Sequence, residues 1–376
     1  MTLSFKLTDT IIVKLNDLHN QFSHYYASLK TFTQDERDAL HHYARISMIG
    51  SSTRIENALL TDPEIHWMDT VLTVDGKPEP YTNHDTLIQD KLSKDRERSI
   101  EEVAGCREML FLIYDAAQTL SPLREGDVRH LHHTLLSPYK KVHHIAGKYK
   151  EVSNSVVENN KTTGATRVVF STADPGPITS AAMAELVGWY NETIQISPWP
   201  VAVASEFVYR FLAIHPFQDG NGRLGRGLFL MTLLSCPMEV IRYVAPFLSI
   251  DRFIEKHKEE YYSVLNRCSD GQFSQDPQQY HVEHFLNFMV KVLEESLCTL
   301  DALRKRFKAE KELSDSAQKV LLCFRGNPER RLTTSEVIAL TKLERRTVIR
   351  SFNTLLEAHL IQKYGKGTST RYQITF

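Results

Sequence analysis

Apolar positions along the chain recur mostly at intervals of three and four residues. In "AVASEFVYRFLAI", Ala204, Phe207, Val208, Phe211 and Leu212 fall at the spacing of one buried helical face. Similar periodicity runs from about Thr8 to Leu120, interrupted at "TVDGKPEPYTNHD", whose glycine and two prolines predict a loop between helices. From Ser121 to about Leu300 helices continue with one exception. "GKYKEVSNSVVENNKTTGATRVVFSTADPGPI" carries β-branched residues on both sides of Thr163-Gly164, which predicts a short hairpin in a helical region. A charged stretch over 301–318 predicts a helical connector. Beyond it, 319–376 reads as helix, short turn, helix and hairpin. The expected fold class is mainly α, organised as a helical region over 1–120, a core over 121–300, the connector and a small C-terminal domain.

Composition narrows the functional classes. The 376 residues carry a formal net charge of -1, so a protein that coats nucleic acid or a membrane surface along its whole length is excluded. Five scattered cysteines form no paired metal or redox spacing, which implies a reduced, cytoplasmic setting. The N-terminal stretch alternates apolar and charged residues, and no later run is long enough to span a bilayer, so no membrane partner is expected.

The chemistry concentrates in "HPFQDGNGRLGR", His215 to Arg226, followed by the apolar "GLFLMTLLS". A tight glycine loop feeding a helix N-terminus binds anions, because backbone N–H groups and the helix dipole converge there. Gly220 and Gly222 let a phosphate approach the backbone, and Arg223 and Arg226 on the first turn can clamp its oxygens. Asp219 beside phosphates calls for a hard cation such as Mg²⁺ between them. His215 supplies a base near neutral pH for a hydroxyl nucleophile, which completes a phosphoryl or nucleotidyl transfer site.

The stretch resembles the Fic family signature His-x-Phe-x-Asp/Glu-Gly-Asn-Gly-Arg-x-x-Arg, which His215, Phe217, Asp219, Gly220, Asn221, Gly222, Arg223 and Arg226 match at every fixed position. The resemblance implies a Fic-type helical bundle that transfers AMP from ATP to a Ser, Thr or Tyr hydroxyl on a protein target. It implies His215 as the base, Asp219 as the Mg²⁺ ligand, and Asn221 with the amides around Gly222 as the anion hole. Phe217 would anchor the loop and the arginines would hold the distal phosphates. Doc-like kinases, a sister branch, carry lysine where Gly222 stands. "GKYK" and "PGPITSAAMAELVGWYNE" resemble the family's flap region, which implies a hairpin edge over Thr162–Thr172 where a target segment adds as a strand. "LSIDRFIEKHKEEYYSVL" resembles the helix that lines the adenine pocket, with Tyr261 and Tyr262 as candidates, of which two neighbours on one helix cannot share a face. Ser269 takes the place of the asparagine that often follows.

Ser52, Glu56 and Asn57 in "SSTRIENALL" match the family's inhibitory pattern Ser/Thr-x-x-x-Glu-Gly/Asn. Ser52 and Glu56 stand one helical turn apart, so Glu56 is expected to project from a helix, pair with Arg226 and exclude the γ-phosphate. Histidines in "RHLHHTLLSPYKKVHHIAG", and the pair His41-His42, are expected as core and surface residues, since no Cys, Asp or Glu accompanies His130 and His133 over 130–147. The C-terminal zone resembles a winged helix-turn-helix domain. Over 319–376 eleven basic residues face four acidic ones, the footprint of a nucleic-acid contact. Val348, Phe352, Leu355, Leu356 and His359 are placed on the inner side of the second helix, Arg345, Arg346 and Arg350 on the reading surface, and Lys366 at the wing tip. An autoinhibited enzyme thus competes with a DNA-binding regulator that senses nucleotide, and with an enzyme that both adds and removes AMP. Oligomeric state, a homodimer included, stays open.

Overall fold

The computed structural model describes residues 2–159 and 166–376. Helix α1 (Asp9–Lys30) is capped by the Thr8 side chain and buries Ile11, Leu15, Leu18, Phe22 and Leu29 along one stripe. After a three-residue turn, a Thr33–Glu36 capping box starts α2 (Gln34–Ile55), whose second half is buried on nearly every side from Ile46 to Thr53. Helix α3 (Asp62–Val71) leads into a ladder of β1 (Thr73–Val74) and β2 (Lys77–Pro78), closed by Asp75-Gly76, both at positive φ. The expected loop thus contains a minimal hairpin, and the Asp-Gly pair was its signal. Helices α4 (Asp85–Leu92), α5 (Glu97–Ala116) and α6 (Glu125–Leu136) complete the N-terminal half.

Strands β3 (Ser155–Asn159) and β4 (Thr166–Ser171) pair antiparallel, as expected for the inserted hairpin; its turn at Thr163-Gly164 lies outside the described residues. Next come α7 (Pro177–Ile196), α8 (Pro200–Ile214), α9 (Asn221–Ser235), α10 (Glu239–Val244), α11 (Ile250–Lys256), α12 (Lys258–Arg267) and α13 (Glu283–Leu297). Helix α8 corrects one expectation. It is buried all round rather than on one face, because α7, α9 and α13 surround it. Its polar residues are therefore paired: Glu206 accepts from the Ser4 amide at 2.9 Å, and Arg210 meets Glu185 at 2.9 Å. A single apolar core runs from Ile11 to Leu300, so 1–120 and 121–300 fold as one body.

A second core begins at Leu313 and joins α15 (Asp315–Arg325), α16 (Thr334–Thr341), α17 (Arg345–Glu357) and a hairpin of β5 (Ile361–Tyr364) and β6 (Arg371–Ile374). The order of helix, turn, helix and hairpin follows the sequence pattern. Two details differ. A boundary at Lys319 falls inside α15, whose Ala317 already belongs to this core, and His359 is exposed, having left the helix in the left-handed region at φ 54. The connector α14 (Leu300–Lys311) is no free linker, since Arg304 meets Glu36 at 2.8 Å and Tyr43 meets Glu310 at 3.2 Å along α2. Phe376 reaches back as well, with ring centroids 5.3 Å from Tyr43 and 5.8 Å from His66, and Arg306 holds the Thr375 carbonyl at 2.9 Å.

Two cores in one chain should melt separably. Phe352 is 1% exposed in the second core, and Phe352→Ala should cost that unit about 3–5 kcal/mol. All three tryptophans (Trp67, Trp189, Trp199) lie before the connector, so their fluorescence reports the first core alone. The expected outcome is an early circular-dichroism transition with the tryptophan transition unmoved; an equal drop in both would show one cooperative unit.

Candidate functional site

The site is built where α8 hands over to α9. His215 ends α8 in the left-handed region at φ 52, and Gly220 enters α9 at φ 80. A non-glycine residue held there is strained unless its surroundings enforce it. The enforcement is visible. Phe217 is fully buried and stacks on His132 at 3.7 Å between centroids, 12° from parallel. The Gly147 amide donates to His132 Nδ1 at 2.9 Å, so Nε2 carries the proton that bonds the Asp219 carbonyl at 2.9 Å. Asn221 brackets Phe217, accepting from its N–H at 3.0 Å and donating to its carbonyl at 2.7 Å. From the strand side, Asn154 donates to the Phe217 carbonyl at 2.7 Å. Lys150 donates to Asn154 at 2.8 Å, Thr172 at 2.9 Å and the Ile214 carbonyl at 3.0 Å.

This loop and the first turn of α9 wall a cavity of about 330 Å³ whose lining includes His215, Asp219, Arg223, Arg226, Tyr262 and Glu56. Burial holds the His215 imidazole down at about 4, so it is neutral at pH 7. Its Nδ1 lies 3.2 Å from the Leu212 carbonyl, which can only accept, so Nδ1 holds the proton and Nε2 keeps a basic lone pair. Lys150, also desolvated, is lowered to about 8. Arg223 Nη2 meets Asp219 at 3.1 Å, while its Nε and Nη1 are buried with no hydrogen-bond partner among the described residues. Backbone and side-chain donors converge there at a helix N-terminus, the kind of place that favours anions.

Arg226 is engaged through Nε and Nη2. It donates to Ser52 Oγ at 3.1 Å, the Ser52 carbonyl at 2.8 Å and Glu56 Oε1 at 3.0 Å, with Asp251 Oδ2 at 3.5 Å. Burial opposes its charge, but Glu56, Tyr261 and Asp251 more than offset this and its pKa rises. The Glu56 carboxylate occupies space that a side chain at position 222 would need: a Cβ built on Gly222 would overlap Glu56 Oε1. Glu56 is not inside the helix but at its C-cap, and Asn57 follows at φ 73. That conformation explains the choice of Gly or Asn at this place in the motif. Asn57 itself faces Lys258 at 3.3 Å rather than the cavity.

Tyr261 and Tyr262 both line the cavity in spite of their adjacency. Tyr261 is 2% exposed and forms the floor beside Phe285 and Phe288, whereas Tyr262 is 40% exposed at the wall, edge-on to it at 5.3 Å. Ser269 is corrected: it lies beyond the end of α12, bonded to the Tyr209 hydroxyl at 2.7 Å, and Asn266, one turn after Tyr262, lines the cavity instead. Asp251, His132, Lys150 and Asn154 were not anticipated. Arg345, Arg346, Arg350 and Lys366 are exposed on the second unit, apart from this site. Among the described residues, no group of three or more His, Cys, Asp or Glu is placed to hold a metal. All five cysteines are free thiols.

A model of the Fic/DOC family matches residues 122–233. A Fido domain-containing protein of Dictyostelium discoideum is 30% identical over 105 residues, which span 26% of this chain and 72% of that protein. The chain belongs to the Fic/DOC family. A protein adenylyltransferase Fic of Culex quinquefasciatus is 35% identical over 98 residues, a stretch that covers only 18% of that longer protein. Among solved structures, a Fic family protein from Desulfovibrio desulfuricans shares the fold over 99% of this chain and 98% of its own, at a TM-score of 0.53 and 22% identity. A Fic domain containing signaling protein from Bacteroides thetaiotaomicron gives a TM-score of 0.57 at 25% identity, over 78% of this chain and 97% of its own. This mainly helical chain therefore has the Fic fold, and none of its described helices is long and apolar enough to cross a membrane.

The His132 stack makes the Fic loop acid-sensitive. Burial lowers His132 from its ordinary 6.5 to about 4, so the unfolded chain binds its proton first as pH falls. Stability from this group is complete above pH 6.5 and lost as pH drops from 6.5 towards 4, at about 1.4 kcal/mol per unit. Melting temperatures from pH 7.5 to 4.5 should fall more steeply for the wild type than for His132→Gln; parallel curves would show that His132 contributes nothing to the pH dependence.

Proposed function

We propose that the chain transfers AMP from ATP to a Ser, Thr or Tyr hydroxyl of a target protein, and that the observed arrangement is its resting state. The observation that carries this reading is the neutral His215, with a free Nε2 lone pair, in one cavity with the orphaned Arg223 donors and the N-terminus of α9. In the proposed step His215 Nε2 takes the hydroxyl proton, the oxygen bonds to the α-phosphorus, and the bond to pyrophosphate breaks. Positioning and charge stabilisation carry most of such a reaction. The amides at the start of α9 and Arg223 would steady the phosphate oxygens, while Tyr261, Tyr262 and Asn266 would enclose the base. Asn221 supports the hole from behind, since its side chain is used on Phe217.

Asp219 offers a hard divalent cation an oxygen ligand, since its carboxylate is 37% exposed at the cavity. Bound Mg²⁺ would neutralise charge on the α- and β-phosphates. A target strand would pair with the β3–β4 hairpin, whose base is stitched to the loop through Asn154 and Lys150 and so sits beside His215. Glu56 sets the resting state. While it holds Arg226, that guanidinium is not free for the γ-phosphate and ATP cannot settle with its α-phosphate in line.

Two experiments test this reading, both with α-labelled ATP, Mg²⁺ and cell lysate. His215→Ala should abolish transfer yet leave ATP affinity within a few-fold, because the base contacts the hydroxyl and not the phosphates; labelling at the wild-type rate would exclude the mechanism. Glu56→Gly should raise auto-modification by roughly one to two decades, since a charge-assisted contact of about 1.5–3 kcal/mol no longer competes with the γ-phosphate. Combining it with Arg226→Ala should erase the gain. Equal activity in wild type and Glu56→Gly would show that Glu56 does not inhibit.

A further inference from the structure

The exposed face of α17 is unused by the site, and its chemistry is specific. Helices α16 and α17 are joined by the three residues 342–344, with Lys342 at φ 57 making the sharp turn. A short turn of this kind between two helices is the helix-turn-helix arrangement. Val348, Phe352 and Leu355 fix the inner side of α17 against α15 and the β5–β6 hairpin, which leaves the opposite side to solvent. On that side stand Arg345, Arg346 and Arg350, all exposed, with the apolar Ile349 42% exposed among them.

The arginines' lack of partners separates this face from an ordinary solvated one. Of the unit's five acidic residues, Asp315 stands in the first turn of α15, Glu329 is held by Lys91 at 3.1 Å, and Glu336 by Arg330 at 2.6 Å and Arg371 at 3.9 Å. Glu344 and Glu357 sit at the two ends of α17, and neither lies within 4.0 Å of Arg345, Arg346 or Arg350 in any ion pair among the described residues. Unpaired guanidiniums beside one another repel, and three of them within about 8 Å along a helix are stabilised by a polyanion. Lys363 and Lys366, exposed on the adjacent hairpin, extend the positive surface past the end of the helix.

We propose that α17 enters the major groove of double-stranded DNA, with Arg345, Arg346 and Arg350 on phosphates and base edges and the hairpin lysines on the flanking backbone. A helix fits a groove about 12 Å wide, arginine is the commonest reader of guanine edges, and an exposed aliphatic such as Ile349 suits a thymine methyl. Flat protein surfaces pair arginine with carboxylates locally; a row of three with lysines to one side matches the regular charge of a duplex. This inference is independent of AMP transfer, because none of its residues lines the nucleotide cavity.

The test uses the full chain and fluorescein-labelled 24-base-pair duplexes of random sequence, titrated by anisotropy between 50 and 200 mM KCl. Wild type should bind at 50 mM KCl and weaken steeply with salt. Arg345→Ala/Arg346→Ala/Arg350→Ala should bind about tenfold or more weakly, with a salt slope shallower by about 2–3, and Lys363→Ala/Lys366→Ala should show a smaller loss. Circular dichroism and auto-modification should match wild type, since the inner face of α17 and the cavity are untouched. Absence of binding at 50 mM KCl, unchanged affinity in both variants, or displacement of the duplex by polyglutamate at equal charge would overturn the proposal, the last by pointing to an acidic protein surface instead.

Discussion

A guanidinium as deeply buried as that of Arg226, 3% exposed, cannot be left without counter-charge, because stripping it of water costs several kcal/mol. The fold meets this demand from two directions at once. Ser52 and Glu56 come from the end of α2 and Asp251 from the first turn of α11, and they meet the arginine on the second turn of α9. The two carboxylates are not equivalent. Asp251 is 2% exposed, with its pKa raised to about 6 by burial, whereas Glu56 is 33% exposed at the cavity edge. Glu56 thus meets the guanidinium from the solvent side, whereas Ser52 and Asp251 hold it from the buried side.

What could be read from the chain follows from how local each requirement is. The anion loop was legible because an N-terminal helix turn, its glycines and its first-turn arginines must be contiguous. Asp251 was not, since its partner is 25 residues away in sequence and nothing in "SIDRFI" sets it apart from a solvated acid. His132 lay within reach of the periodic pattern. Val128, Leu131, His132 and Leu135 are spaced as one apolar face, so a histidine among them had to be buried and bonded, yet attention to metal spacing fell on its neighbours His130 and His133. Asn266 follows the same logic, one turn past Tyr262, whereas Ser269 lies outside the helix that ends at Arg267. The second unit shows the helix, turn, helix and hairpin of the sequence pattern, but the attachment of its connector along α2 was not legible, because the paired charges stand 267 and 268 residues apart in sequence.

Helix α2 therefore serves both ends of the molecule. Its first half receives α14 and, through Tyr43, the ring of Phe376; its last turn presents Ser52 to Arg226. At 22 residues the helix is about 33 Å long and is buried where it crosses the core, which makes it stiff. The seat of the C-terminal unit and the clamp on Arg226 thus belong to a single rigid element.

The space above Gly222 has one more meaning. A carboxylate rests where a side chain is missing, on the same helix N-terminus that attracts phosphate. Glu56 is in this sense a ligand permanently attached to its own receptor by four residues of backbone from Ser52. Its occupancy depends on effective concentration, which for a short tether reaches the millimolar range or above without any strong contact. Glu56 alone would bind a helix end feebly in water; under the proposed function, its tether is what lets it compete with a free nucleotide. The strength of the latch thus resides in chain connectivity, and a change in the geometry of the tether alters it as surely as a change in charge.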